Sequence, residues 1–191
     1  WRSAFNLAGF LGDRANGSLF TPRVFFANAV TDEELASYNL VLVGRPSQLP
    51  VIAAMNEELP MPFAEGTDVA QERDMQVIFR IPADAPVGYI ELLSSPWNGE
   101  NTVLAALGNT SQGVVWSGAA LIEATLRSQL SGNFAAVTDQ QVVTADTRLS
   151  AVPQGEIVES PVVPSPVEPS PSAPAKRPAW ILPAAGIAGG L

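Results

Sequence analysis

Proline decides first where this chain can fold. Seven of its 17 prolines fall between Pro161 and Pro178, mixed with Ser, Val and Glu. Proline fixes its own φ, lacks an N–H, and biases the residue before it away from helix. A stretch so dense in it cannot bury a core and prefers extended polyproline II. A core is therefore confined to about residues 1–150, enough for one domain. At roughly 3.1 Å per residue, the spacer from Pro153 to Pro178 can reach about 80 Å. The organisation expected is a folded domain over 1–150, a linker over 151–178, and an apolar end over 179–191.

That end carries no charge. A spanning helix needs about 20 apolar residues, and Ala179 to Leu191 supplies the first 13. We read it as the start of a transmembrane helix. Trp180, Ile181, Leu182, Ile187 and Leu191 would anchor it in membrane lipid, with Trp180 at the bilayer interface. The chain then reads as a piece of something longer, because it starts at Trp1 and stops inside an apolar run. Trp1 to Gly17 is expected to be a helix rather than a signal peptide, since Asp13 and Arg14 interrupt any apolar core. The expected location is a single-pass anchor with the globular part outside the cytoplasm. Lys176 and Arg177 vote the other way by the positive-inside rule.

Residue types narrow the chemistry. A net charge of −9 repels phosphate, so nucleic acid is a poor partner. There is no cysteine, which removes disulfides, thiolate metal sites and thiol nucleophiles. There is no histidine, which removes the usual base, the usual metal ligand and every Ser-His-Asp arrangement. Only a carboxylate mechanism survives. Glu65, Asp68, Glu72 and Asp74 crowd one excursion, and paired carboxylates can act on a glycoside. A solvated acidic loop is the reading preferred for them.

Periodicity predicts an α/β domain. Ala4, Leu7, Ala8 and Leu11 recur with helical spacing, and Asn16-Gly17 would end that helix. Val24–Phe26 is expected to be a short buried strand. Thr31 and Glu34 have capping-box spacing for a short helix. Leu40–Val43, stopped by Gly44 and Pro46, is expected to be a central strand. A helix is expected from Gln48 to Glu58, then an irregular excursion from Met61 to Asp74. Met75 to Phe79 and Tyr89 to Leu93 read as two strands joined by a turn, and Val103 to Leu107 as another strand. Ser111 to Ser131 is expected to be one helix with Val115, Ala119, Ile122, Leu126 and Leu130 on its buried stripe, closed by Gly132. "FAAVTDQQVVTAD" supplies one or two last strands. Alternation of this kind predicts a three-layer, flavodoxin-like domain with a mainly parallel sheet.

Two motifs invite functional readings. "LGNTSQG" puts glycines at a strand-to-helix turn, where a phosphate could be cradled. It lacks G-x-G-x-x-G and a following Lys, so a plain turn capped by Asn109 or Thr110 is preferred. "SSPWNGEN" sets Trp97 and Asn98 in a turn, as a candidate surface contact for a sugar or a partner. Trp97 could equally cover the sheet edge. "ILPAAG" is similar to a sortase signal, but Ala185 stands where Thr is needed.

"YNLVLVGRPSQLPVI" and "VGYIELLSSPWNGENTVLAALGNTSQGVVWSGAAL", followed by a Pro-rich stretch and an apolar end, resemble the C-terminal part of the bacterial cellulose synthase regulatory subunit family. The resemblance covers about residues 1–150 and the layout of the tail. It implies alternating carbohydrate-binding-like and flavodoxin-like domains outside the membrane and one C-terminal anchor. It implies a non-catalytic accessory role next to the cellulose synthase catalytic subunit, near the glucan chain, with no cofactor. The family's cyclic di-GMP label finds no Arg-x-x-x-Arg motif here. The matching blocks shape the fold, so the resemblance transfers no catalytic, cofactor-binding or metal residue. Two other readings stand alongside: a tethered carbohydrate- or protein-binding ectodomain using Trp97, and a flavodoxin-fold enzyme. Strand ends reading "ANAVTDEE" and "GRPSQLP" are ill-suited to a flavin phosphate.

Overall fold

A computed structural model describes residues 1–16, 22–71, 85–139 and 141–148. Helix α1 spans Arg2–Arg14, and Asn16 leaves it with a positive φ of 46°. Helix α2, Asp32–Ser37, begins with the expected capping box: Glu34 N–H donates to Thr31, and Thr31 N–H donates to the Glu34 carboxylate. Strand β1 is Leu40–Gly44. A 3-10 turn at Pro46–Gln48 and helix α3, Pro50–Ala54, follow. Strands β2, Gly88–Ser94, and β3, Thr102–Gly108, form a hairpin. Helices α4, Ser111–Ile122, and α5, Ala124–Arg127, lead to β4, Phe134–Thr138, and β5, Gln141–Ala145.

The strands lie in the order β1-β3-β2-β4-β5. Among the described residues, only β1 and β3 pair in parallel; the β2–β3, β2–β4 and β4–β5 pairs are antiparallel. The domain is α/β with a mixed sheet, and the expected mainly parallel sheet is corrected. The reason is local. Turns of a few residues at Pro96–Asn101 and around Asp139 make β2–β3 and β4–β5 antiparallel, and β4, which returns after α4 and α5 in the direction of β3, pairs with the reversed β2.

Apolar packing covers both faces. On one, Val87, Tyr89, Val103, Ala105, Leu107 and Phe134 meet Leu35, Ile52, Met55, Leu59, Met61 and Phe63 from α2, α3 and the excursion. On the other, Ile90, Ala135 and Val137 meet Ala120 and Leu126 from α4 and α5. Helix α1 lies on α4, where the space above Gly118 is filled by Ser3, and its Leu7 is buried.

Several expectations need correction. Val24–Phe26 forms no strand; Val24 and Phe26 are exposed, and Pro22 denies the segment a donor. Leu40–Val43 is a strand as expected but lies at the edge of the described sheet rather than at its centre. The helix expected over Gln48–Glu58 shrinks to α3, because Pro50 must sit at a helix start and Met55 turns away to bury itself. The long helix breaks at Glu123, whose ψ is 126°. Its buried face is also different. Val115 is exposed, while Gly113, Ser117 and Ala120 face inward. Leu126 is buried and Leu130 packs against the core as expected, but within α4 hydrophobicity marked the wrong face because the close contact there selects small side chains. Gly132, with a φ of 70°, sits after the helical turn as expected. The Met75–Phe79 strand lies outside the described residues, as do the linker and Ala179–Leu191. Among the described residues, no helix is long and apolar enough to cross a membrane.

The α4–sheet contact is backbone against backbone. A methyl group at Gly113 would overlap the Val87 carbonyl, and one at Gly88 would lie 2.5 Å from Gly113 O and 2.8 Å from Ser117 N. Replacing Gly113 with Ala should therefore destabilise the domain by about 2–3 kcal/mol despite alanine's better helix propensity. Urea midpoints of the two proteins, at unchanged m-value, check this; an equal or higher midpoint for Gly113→Ala would refute the contact.

Candidate functional site

The candidate residues resolve into three neighbourhoods. The first is the turn "LGNTSQG" after β3. Thr110 caps α4, its hydroxyl accepting from Gly113 N–H at 3.1 Å. Asn109 reaches back instead of outward: its Oδ1 accepts from Val87 N–H at 2.7 Å and its Nδ2 donates to Ala85 O at 2.8 Å. The segment before β2 thus occupies the space where a phosphate would sit, and the glycines serve close packing. The capped-turn reading holds, with Thr110 as the cap.

The second neighbourhood is the turn between β2 and β3. Asn98 and Asn101 both donate to Ala36 O, at 3.0 and 2.8 Å, which satisfies a carbonyl at the C-terminal end of α2. Asn98 Oδ1 also accepts from Glu100 N–H at 3.1 Å. Trp97 is half-buried and packs against the core beneath α2. Asn98 thus fastens the hairpin to α2, while Trp97 covers part of the core.

The third neighbourhood lies under the excursion between Leu59 and Gln71, and it holds what sequence reasoning missed. Asp68 is buried rather than solvated, which corrects the acidic-loop expectation at that residue; Glu65 is exposed as expected, and Glu72 and Asp74 lie outside the described residues. Its carboxylate accepts from Arg45 Nε at 2.9 Å, from Arg45 Nη2, and from Ser47 N–H at 2.8 Å. The pair ties the loop to the C-terminal end of β1, and "GRP" was the only trace of it in the sequence. Asn56 adds a second tie, exchanging two hydrogen bonds with the Phe63 backbone. Phe63 pairs with Ala70 as an isolated bridge that holds the loop's two limbs together.

Glu91 sits beneath this loop in the middle of β2, between Ala105 on β3 and Phe134 on β4, with no exposure. Its Oε2 accepts from Met61 N–H at 3.1 Å, and its Oε1 has no partner among the described residues. Burial in this apolar surround disfavours the carboxylate and pushes the acid up to about 8; the Met61 hydrogen bond opposes this only in part. Burial, and next the adjacent Glu91, push the Tyr89 phenol up to about 12. The sequence reading placed residue 91 in a strand, but nothing in the string "YIELL" announced a buried acid there.

On the opposite face, an open groove of about 160 Å³ runs along Leu92, Leu104, Leu121, Leu130 and Asn133. Val41, Leu104 and Leu92 form one cross-strand row that α4 and α5 leave partly open.

Chemically, these arrangements tether and cover. Asp68 is neutralised by Arg45, and Glu91 is out of reach of a substrate. Among the described residues, no cluster of three or more Asp, Glu, His or Cys side chains could hold a metal ion. No protein-family model matches the chain, and no curated protein is significantly similar to it.

Two measurements test this reading. A carboxyl held neutral in the fold but free in the unfolded chain binds its proton more tightly when folded. Its stabilising contribution is complete below about pH 4.5 and is lost as pH rises towards 8. The loss across that window is on the order of 5 kcal/mol. Replacing Glu91 with Gln should remove this slope, so urea midpoints at pH 5 and 8 should converge relative to wild type; parallel slopes would refute a buried neutral Glu91. Removing the cation by Arg45→Ala strands the buried Asp68 carboxylate and should cost about 2 kcal/mol. The double replacement with Asp68→Asn should recover part of that loss, as read by a thermodynamic cycle.

Proposed function

We propose that the chain is the C-terminal flavodoxin-like module of a cellulose synthase regulatory subunit homologue. It is a non-catalytic, membrane-anchored accessory protein, with its globular part outside the cytoplasm next to the cellulose synthase catalytic subunit. It supports synthesis and export of the glucan chain and needs no cofactor.

One observation carries the reading. The two sequence blocks that resemble the family meet in space: "LVGRP" ends β1, which lies parallel to β3, and β3 belongs to the "SSPWN…VLAALGNTSQG" block that continues into α4. The flavodoxin-like likeness rests on that parallel pair and on α4 packed over it. The strands β2, β4 and β5 add antiparallel pairs to the pattern. A second support is chemical. Two buried acidic side chains, Asp68 and Glu91, hold the excursion in place rather than line an open cleft. A third support is compositional: a Pro-rich stretch followed by an apolar end is what a tether requires.

The test is made in a cellulose-producing bacterium that carries the full-length chain with an affinity tag. The chain should fractionate with membranes, co-purify in detergent with the cellulose synthase catalytic subunit, and be required for cellulose output. Protease added to spheroplasts should cut the Pro-rich spacer while the membrane is intact. Undiminished cellulose after deletion, with no catalytic subunit in the detergent eluate, would overturn the proposal. The isolated protein should be colourless and leave FMN fluorescence unquenched; micromolar FMN binding would favour the enzyme reading instead.

A further inference from the structure

The irregular layer over β2 closes on an acid that has no counter-charge. Every residue from 59 to 63 is buried. Pro60 and Pro62 have no N–H, so Met61 carries the one backbone donor between Leu59 and Phe63. That donor goes to Glu91 Oε2 at 3.1 Å, and Glu91 has no exposure. The other carboxyl oxygen, Oε1, has no partner among the described residues. On the same face the Phe63 ring stands edge-on to Tyr89 with centroids 5.5 Å apart, and Tyr89 lies 6.5 Å from Phe134.

Among the described residues, no cation opposes a charge on Glu91. Its sheet neighbours β3 and β4 hold no ionisable side chain, and neither does α3. On β2 the other titratable group is Tyr89, whose phenol the acid pushes further up. Helix α2 brings Asp32, Glu33 and Glu34, the link after α3 brings the exposed Glu57 and Glu58, and the excursion brings Glu65 and Asp68. Arg45 is the cation of this layer, and it is committed to Asp68. An ionised Glu91 would be sealed in with one hydrogen bond, a state that burial penalises heavily.

The two coverings of the sheet are held differently. Helix α4 meets β2 backbone to backbone at Gly88 and Gly113. The excursion is held by side chains and a few polar ties: Asn56 with Phe63, Gln71 with Pro62, and Asp68 with Arg45. Irregular segments with few backbone ties open before a packed core does. Lifting residues 59–63 lets water reach Glu91, and α4 need not move because it covers the opposite face. We propose that residues 59–63 form a flap that the proton on Glu91 keeps closed, and that ionisation of Glu91 lifts it from β2 while the α4 side of the sheet stays formed. The lifted flap uncovers Tyr89 and Phe134, and its later limb stays tied to β1 through Asp68 and Arg45.

The direction with pH follows from where the proton binds more tightly. With the flap closed Glu91 loses its proton only near 8, and with it open in the ordinary range near 4.5. The open population therefore rises about tenfold per pH unit between those values and levels off above 8. The proposal rests on a buried neutral Glu91 and adds where the chain yields.

Hydrogen exchange of the full chain, read by NMR at individual amides from pH 5 to 8 and corrected for intrinsic exchange rates, tests it. In wild type, protection at Met61 and Phe63 should fall about a thousandfold across that range. Amides of residues 113–120 in α4 should be better protected at every pH. Low urea should speed exchange in α4 and leave Met61 unchanged, because a small opening exposes little surface. In Glu91→Gln, protection at Met61 and Phe63 should no longer depend on pH. If that variant does not fold, wild type decides by itself: protection at Met61 and Phe63 that is flat with pH overturns the proposal. A slope that persists in a folded Glu91→Gln also overturns it, since another group then carries the proton. So does equal protection and equal urea dependence at Met61 and in α4; that result makes the opening global and leaves the neutral Glu91 standing.

Discussion

The fold depends on one close contact, the passage of α4 over the start of β2. Gly88, Gly108 and Gly113 let helix and strand backbones touch where any side chain would hold them apart. Asn109 then bonds both ways to the segment that enters β2. Ser117, Gly118 and Ala120 continue the small-residue face, so α4 can lie against the sheet below and α1 above. With α4 seated, Ile90, Ala135 and Val137 are covered on one face of the sheet. The other face is left to the excursion and its two short helices.

That second covering is held differently. It has little regular structure, so its backbone groups need individual partners. Glu91 receives Met61 N–H and Asn56 pairs with the Phe63 backbone, while the Arg45–Asp68 pair ties the later part of the loop to the end of β1. The cost is a carboxyl group buried among Tyr89, Phe134 and Ala105, tolerable only because it takes a proton. An irregular loop can form half of a hydrophobic core when a few polar ties fix it. Trp97 extends the same layer, clamped by the asparagines that cap α2.

Polar side chains that sequence reading casts as surface or catalytic candidates become structural here for one reason: the chain has long turns and few regular elements to satisfy them. Asn98, Asn101, Asn109 and Asp68 each replace a missing backbone partner. The exposed features are apolar instead, Phe5 of α1 and the open row of Val41, Leu104 and Leu92.

Local patterns were legible in the sequence. The capping box at Thr31–Glu34, the strands at Leu40–Val43, Tyr89–Leu93 and Val103–Leu107, the Thr110 cap and Gly132 follow from neighbours within a few residues, where propensity and hydrogen-bond geometry act directly. Strand order and direction did not follow, because they depend on which distant edges meet; an apolar run reads the same whether its neighbour is parallel or antiparallel. The buried stripe of α4 was misread for a related reason. Hydrophobicity measures transfer from water, whereas this interface was selected for closeness, and only the fold reveals which face must be small. Asp68 and Glu91 look like ordinary acids in the string. Their roles come from an arginine 23 residues away and a backbone amide 30 residues away, brought near by the tertiary structure alone.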